Sequence, residues 1–196
     1  STLMSRALAV NKIKTPVYSF HGKLTQGRRD NAQNRFRQAK NGILVASGIG
    51  ARGMDFPNVS HVVQIGISSE IDQHTHKIGR TGRNGEKGDA ILFANQYEMP
   101  FVKALEKNNN TFEVEELNEE EPEFLEMTKC VEEITQRLGR EYIHDTIYGF
   151  LGNYRNVPPK VAKFNMTALA RDNAIMFNRF AGEPKDELDE PLKLGM

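Results

Sequence analysis

Two arginines three residues apart, Arg80 and Arg83, stand in the run His76-Lys77-Ile78-Gly79-Arg80-Thr81-Gly82-Arg83, which Asn84-Gly85-Glu86-Lys87-Gly88 closes. At that spacing both guanidinium groups can share one face of a helical turn, and the glycine beside each lets the backbone pack closely. Guanidinium is permanently charged and presents a planar fork of donors that fits phosphate oxygens better than lysine does. The plainer reading of the same residues is a basic helix end running into a Gly-rich loop. A second stretch, Ile43 to Val59, argues against it. Here the apolar run Ile43-Leu44-Val45-Ala46 leads into Ser47-Gly48-Ile49-Gly50-Ala51-Arg52-Gly53-Met54-Asp55-Phe56-Pro57. Backbone N–H groups beside glycines, with the Ser47 hydroxyl, suit a sugar-phosphate backbone, and the lone carboxylate of Asp55 suits ribose hydroxyls.

A scaffold must hold these groups, and the hydrophobic pattern supplies one. Thr2 to Val10 reads as a helix, Val17 to Phe20 as a strand, and Thr25 as the N-cap of a helix from Gln26 to about Lys40. Ala32, Phe36 and Ala39 are expected to form its buried stripe, with Arg28, Arg29, Arg35 and Arg37 on the solvated face. Ile43 to Ala46 is continuously apolar, as a strand buried on both sheet faces would be. His61 to Ile65 is a further strand, Glu70 to Ile78 a helix, Asp89 to Ala94 a strand, Gln96 to Lys107 a helix and Phe112 to Glu116 a last strand. Alternating strands and helices mean βα units, an α/β fold and a mostly parallel sheet. Ligands of such sheets bind beyond the C-terminal strand ends, where the motifs are expected to gather.

Composition bounds the rest. The chain has 196 residues, 38% of them hydrophobic, with 11 Phe and no Trp. No run approaches the roughly 18 to 20 apolar residues of a membrane span. A single cysteine, Cys130, excludes an internal disulfide and any multi-cysteine metal site, and no metal ligands are assigned. The first residue is Ser1, so the chain is expected to begin within a longer protein or after processing. The net charge of zero hides a division: residues 1–110 carry 16 Lys and Arg against 8 Asp and Glu, and residues 111–196 carry 10 against 18. Such asymmetry points to two modules, the basic one facing polyanions.

Ala51-Arg52-Gly53-Met54-Asp55 and His76 to Arg83, with His21-Gly22, Gln26, Arg29 and Phe36 upstream, resemble the second RecA-like domain of DEAD-box RNA helicases. The likeness spans about residues 1–117, with three separated motifs in order and at the right spacing. It implies that Arg80 and Arg83 are arginine fingers reaching the γ-phosphate of ATP, which is held with Mg by an N-terminal RecA-like domain. Gly53 and Asp55 would contact the nucleotide, and His76 would couple it to RNA. Gly22, Gln26, Arg29 and Ser47 would hold RNA phosphates and 2′-hydroxyls without reading sequence. The chain contains neither a Gly-x-x-x-x-Gly-Lys-Ser/Thr loop nor Asp-Glu-Ala-Asp, so by itself it is expected to bind RNA and hydrolyse nothing. The chain departs from the family pattern at Ser47-Gly48 for Thr-Asp, at His74-Thr75 for Tyr-Ile and at Lys77 for Arg. These changes imply weaker coupling between the two domains.

The acidic part reads as helical. Phe124, Met127, Val131, Ile134 and Leu138 recur at alternating threes and fours, and Ile143, Ile147, Phe150, Leu151 and Tyr154 repeat the pattern. Pro158-Pro159 break the chain before a third helix marked by Met166, Leu169, Met176 and Phe180. The expected division is a RecA-like domain over residues 1–117, a helical extension over 118–182 and a flexible acidic tail over 183–196. Such an extension, together with Met54-Asp55-Phe56-Pro57, is similar to fungal mitochondrial DEAD-box proteins that act as RNA chaperones in intron splicing, which implies the mitochondrial matrix. Two functions of different class remain open: an ATP-dependent RNA helicase or chaperone, and a non-catalytic RNA-binding scaffold on the same fold.

Overall fold

The computed structural model describes residues 14–47, 56, 58–108, 110–118, 120–138, 140–159 and 161–180. The helix expected over 2–10, the residues Gly48, Gly53 and Asp55, and the tail over 183–196 lie outside the described residues. Two compact units divide the chain, Ser1–Asn95 and Gln96–Met196.

In the first unit, β1 (Val17–Phe20) is followed by α1 (Gln26–Gln38) and β2 (Ile43–Ala46), and then β3 (His61–Ile65) by α2 (Ile71–Ile78) and β4 (Asp89–Phe93). Each βαβ pair is parallel, with Val17 opposite Ile43 in one ribbon and His61 opposite Asp89 in the other. Strand–helix alternation is thus confirmed. Among the described residues the pairing forms two ribbons, β1–β2 and β3–β4. This corrects the expected burial of β2 on both faces: Ile43, Leu44 and Val45 are half-buried and Ala46 is exposed, as befits a strand with one partner among the described residues. The stripe on α1 is likewise half-buried; no residue of this helix is fully buried. Phe36 stands edge-on to Tyr18 and Phe56, with ring centroids 5.9 and 5.2 Å apart, and joins Phe20, Leu44 and Val59 in a small core.

The β3–β4 ribbon has two unlike faces because side chains alternate along a strand. His61, Val63 and Ile65 stand beside Asp89, Ile91 and Phe93 on one face, exposed, with His61 Nε2 3.3 Å from Asp89 Oδ2. Gln64 points to the other face and is buried there with His74 of α2. Left-handed Gly66, at φ 73°, ends β3 and its N–H bonds to the Phe93 carbonyl at 2.9 Å.

The second unit contains a 3₁₀ turn (Gln96–Glu98), α3 (Met99–Lys107), α4 (Pro122–Leu138), α5 (Arg140–Arg155) and α6 (Met166–Phe180). The last three helices pack on one another pairwise. Phe101, Leu105, Tyr154 and Leu169 are its most deeply buried large side chains. Tyr154 is the hub: its hydroxyl donates to buried Glu98 at 2.7 Å, and its ring meets Phe150 and Phe164 edge-on. Residues 111–118 form no strand, which corrects the expectation for Phe112 to Glu116. The alternation is present there, but among the described residues no strand pairs with it, and Phe112, Val114 and Leu117 are exposed.

Between α2 and β4, the segment 79–88 turns on three left-handed residues, Gly82 (φ 63°), Asn84 (φ 55°) and Gly85 (φ 80°). Buried Thr81 anchors it, donating its hydroxyl to the carbonyls of Val59 and Ser60. Gly88 leaves room for that hydroxyl: a Cβ at Gly88 would stand 1.9 Å from Thr81 Oγ1 and 2.6 Å from the Gly82 nitrogen. Gly88→Ala therefore forces the anchor out of place, and the expected loss is about 3 kcal/mol of stability from overpacking and the broken hydrogen bond. A urea midpoint that falls at unchanged slope would show it; an unchanged midpoint would mean that the anchor contributes nothing.

Candidate functional site

The phosphate-facing residues are placed by a short helix. Asp72 in the first turn and His76 and Lys77 in the last match the helix dipole, and Gly79 caps the C-terminus. Arg80 Nε donates to the His76 carbonyl at 3.1 Å and Arg83 Nε to the Gly79 carbonyl at 2.8 Å. Each guanidinium thus folds back over the carbonyl four residues earlier, and His76, Arg80 and Arg83 gather beside the last turn of α2. His76 is exposed and both arginines are half-buried.

Their position in the fold corrects an expectation. A helix that joins two parallel strands must run back against them, so the end of α2 lies at the beginning of β3. The Thr81 bonds to Val59 and Ser60 mark the place, as does the bond from Asp89 N to the Ser60 carbonyl at 2.9 Å. Arg80 and Arg83 sit beyond the N-terminal ends of β3 and β4, whereas Gly22 and Ser47 follow the C-terminal ends of β1 and β2.

That second group is compact. Ser47 N bonds to the Phe20 carbonyl at 3.0 Å, which seats Ser47 beside the end of β1. Thr25 occupies the N-cap of α1 with extended backbone, though its side chain makes no capping bond. Gln26 and Arg29, three residues apart, share the first turns; Gln26 Nε2 donates to Asp30 Oδ1 at 2.7 Å. The solvated face expected for the arginines holds for Arg28, Arg35 and Arg37, all exposed, and not for Arg29. Arg35 lies over the Tyr18 ring, 5.6 Å from its centroid, and Arg29 is half-buried. Arg29 Nε is buried and has no hydrogen-bond partner among the described residues. At Gly22 an added Cβ would meet nothing within 4 Å, so this glycine leaves an open surface. An open pocket of about 400 Å³ between β1 and α1, lined by Tyr18, Arg28, Asn31 and Arg35 among others, includes none of the expected site residues.

Beneath the arginine face lies a polar cluster that motif reading misses. Gln64 Nε2 donates to the Gly66 carbonyl at 2.8 Å and lies 3.3 Å from Ser68 Oγ; its Oε1 faces His74 Nδ1 at 3.1 Å. Lys77 Nζ donates to Ser68 Oγ at 2.8 Å. Gln64, Ser68 and His74 are all buried. The signal available in the sequence was a glutamine inside an otherwise apolar run, Val62-Val63-Gln64-Ile65. Burial, and next the charge of Lys77, hold the His74 imidazole below its ordinary pKa. Burial does the same for His21, with Lys23 adding to it.

Comparison with known proteins places the chain among relatives of one kind. Residues 2–85 match the helicase conserved C-terminal domain. The mitochondrial ATP-dependent RNA helicase MSS116 of Saccharomyces cerevisiae is 40% identical over 141 residues, covering 72% of this chain and 21% of that protein. The chain thus spans about a fifth of that relative's length. Mss116p bound to single-stranded RNA and AMP-PNP superposes with TM-score 0.76 and 32% identity, over 93% of this chain and 35% of that one. Helicase domain 2 of Mss116p bound to an RNA duplex gives TM-score 0.74 and 31% identity, over 94% of this chain and 72% of that one. Both likenesses extend over nearly the whole chain, the helical second unit included.

The two depressed histidines set a pH dependence. Each binds its proton more weakly folded than unfolded, so stability is complete above the ordinary value of 6.5 and declines as pH falls below it. Urea midpoints between about pH 8 and about pH 5 are expected to drop on the acid side, with a smaller drop in His74→Asn. A flat profile, or one that rises on acidification, would contradict the burial of these rings.

Proposed function

Since the chain belongs to the DEAD-box RNA helicase family, we propose that it is the C-terminal half of an ATP-dependent RNA helicase that remodels structured RNA such as introns. The single observation that carries this reading is the pair Arg80 and Arg83 just beyond the end of α2, each with its Nε tied to a backbone carbonyl. Tethering of that kind aims a guanidinium before a ligand arrives, which is what transition-state stabilisation requires. The division proposed is a RecA-like domain over 1–117, a helical extension over 118–182 and an acidic tail over 183–196.

ATP, with Mg, belongs in this reading to the N-terminal RecA-like domain and supplies the transferable phosphoryl group. The donor set here fits its charge: two permanent cations on one face suit phosphate oxygens. Arg80 and Arg83 hold positive charge where negative charge develops, and His76 on the same face links that event to the other domain. Gly53 and Asp55 are assigned to nucleotide contact by their motif. A scaffold without catalysis is not favoured, because relatives that align over most of this chain are named as ATP-dependent enzymes.

RNA is assigned to the group beyond β1 and β2. Arg29 offers a permanent positive charge in the first turns of α1, Gly22 an open surface for close approach, and Ser47 and Gln26 neutral hydrogen-bonding groups. Donors of this kind address phosphates and sugars, so binding is indifferent to base sequence. The matrix of mitochondria is the proposed compartment, after the names of the same relatives.

In the full-length protein, Arg80→Ala or Arg83→Ala is expected to lower kcat of RNA-stimulated ATP hydrolysis by about 10³, leaving nucleotide-free RNA binding intact. Wild-type turnover in either variant would remove the arginine-finger assignment. Arg29→Ala should reduce the salt slope of RNA binding by about one phosphate contact. Gly22→Ala should weaken RNA binding without moving the urea midpoint, since the added methyl meets nothing of its own chain. Unchanged RNA affinity in both would place the RNA elsewhere.

A further inference from the structure

The cluster under α2 is a set of hydrogen bonds with a fixed sense. The Gly66 carbonyl can only accept, so the Gln64 amide must turn its nitrogen toward it. Its oxygen then faces His74, and only a proton on Nδ1 can complete that contact. A neutral ring that donates from Nδ1 carries its lone pair on Nε2, so the contact admits one neutral tautomer. Gln64 is thereby held at both ends, by the left-handed Gly66 that terminates β3 and by a side chain in the middle of α2. Lys77, one turn further, reaches Ser68 in the same turn of chain. Between them His74 and Lys77 tie the helix to the exit of β3, while Thr81 ties its far end to the entrance. His76 and Arg80 emerge from the stretch between and beside these anchors.

We propose that Gln64 and His74 are positioning residues, which set the rotation and height of α2 through this one-tautomer bond and so aim His76, Arg80 and Arg83. The inference rests on the arginine-finger reading above and names the residues that serve it. His74 and Lys77 are two of the positions where the chain departs from the motif it resembles, and both departures meet in the same cluster. Their side chains supply a donor to Gln64 and a donor to Ser68. The charged group acting on His74, among the described residues, is Lys77 of its own helix. β3 and the turn after it present Gln64, Ser68 and backbone carbonyls, all neutral. A second proton on His74 therefore adds a positive charge in a buried place beside Lys77.

The test compares His74→Asn with His74→Leu in the intact protein that contains this chain. Asparagine places an amide N–H where Nδ1–H stands and does not titrate; leucine leaves the Gln64 oxygen facing a hydrocarbon. Hydrogen exchange of the amides of residues 74–81 is expected to quicken about tenfold in the leucine variant, the value of one buried hydrogen bond, and to stay near wild type in the asparagine variant. RNA-stimulated kcat should fall in the leucine variant with little change in KM for ATP. It should be kept at neutral pH in the asparagine variant, with the acid limb of the pH profile flattened. ¹⁵N-histidine spectra of the intact protein, assigned by loss of the signal in His74→Asn, should show Nδ1 protonated and Nε2 bare at neutral pH. An Nε2–H tautomer, or wild-type exchange and kcat in His74→Leu, overturns the proposal. If the exchange and tautomer results hold while the wild-type protein hydrolyses no ATP with any RNA, it is the functional reading that fails and the positioning of α2 that stands.

Discussion

The first unit depends on the hydroxyl of Thr81, which lies buried against the carbonyls that open β3. A parallel strand pair needs a crossover, the crossover helix must return against the strands, and some group must stop it there. Thr81 does so with one side chain, and the missing Cβ of Gly88 makes the space. From that point the backbone can spend three left-handed residues on a tight return to β4. The arginines flank the anchor, so their place is set by a contact to which neither contributes.

A helix of eight residues has few turns to divide between anchoring and display. On α2 the division is clean: His74 and Lys77 reach β3 and its exit, and His76 stands exposed on the side where Arg80 and Arg83 fold back. Small residues would pack more simply on the inner side. The polar groups found there instead make the contact directional, because hydrogen bonds specify a rotation that apolar packing leaves softer. The cost is a buried imidazole that resists protonation, which ties the integrity of this unit to pH.

The two ribbons present different polar groups at their ends. At the C-terminal ends of β1 and β2 stand glycine, serine, glutamine and a half-buried arginine, a surface suited to a polyanion read by its backbone. At the N-terminal ends of β3 and β4 stand two tethered guanidinium groups suited to one phosphoryl group. The acidic helices form a separate compact unit around Tyr154 and Glu98.

By itself, the sequence determined the parts that depend on neighbours along the chain. Strand Val17–Phe20, the start of α1 at Gln26, the helix ending at Ile78 and the three acidic helices are local patterns, and the run from His76 to Arg83 is legible as chemistry because its residues are adjacent. Tertiary structure alone decided what depends on groups distant along the chain. The alternating segment Phe112 to Glu116 is no strand, because alternation creates an edge but not a partner to pair with it. β2 is half-buried because, among the described residues, β1 is its one partner. Arg29 was assigned to solvent by its helical position, yet its Nε is buried, since exposure depends on what packs against the helix. The arginines lie at the opposite strand ends from those expected, a matter of crossover direction. Gln64 and His74, ten residues apart, meet only when a helix folds back over the strand before it, and no spacing rule along the chain encodes that contact.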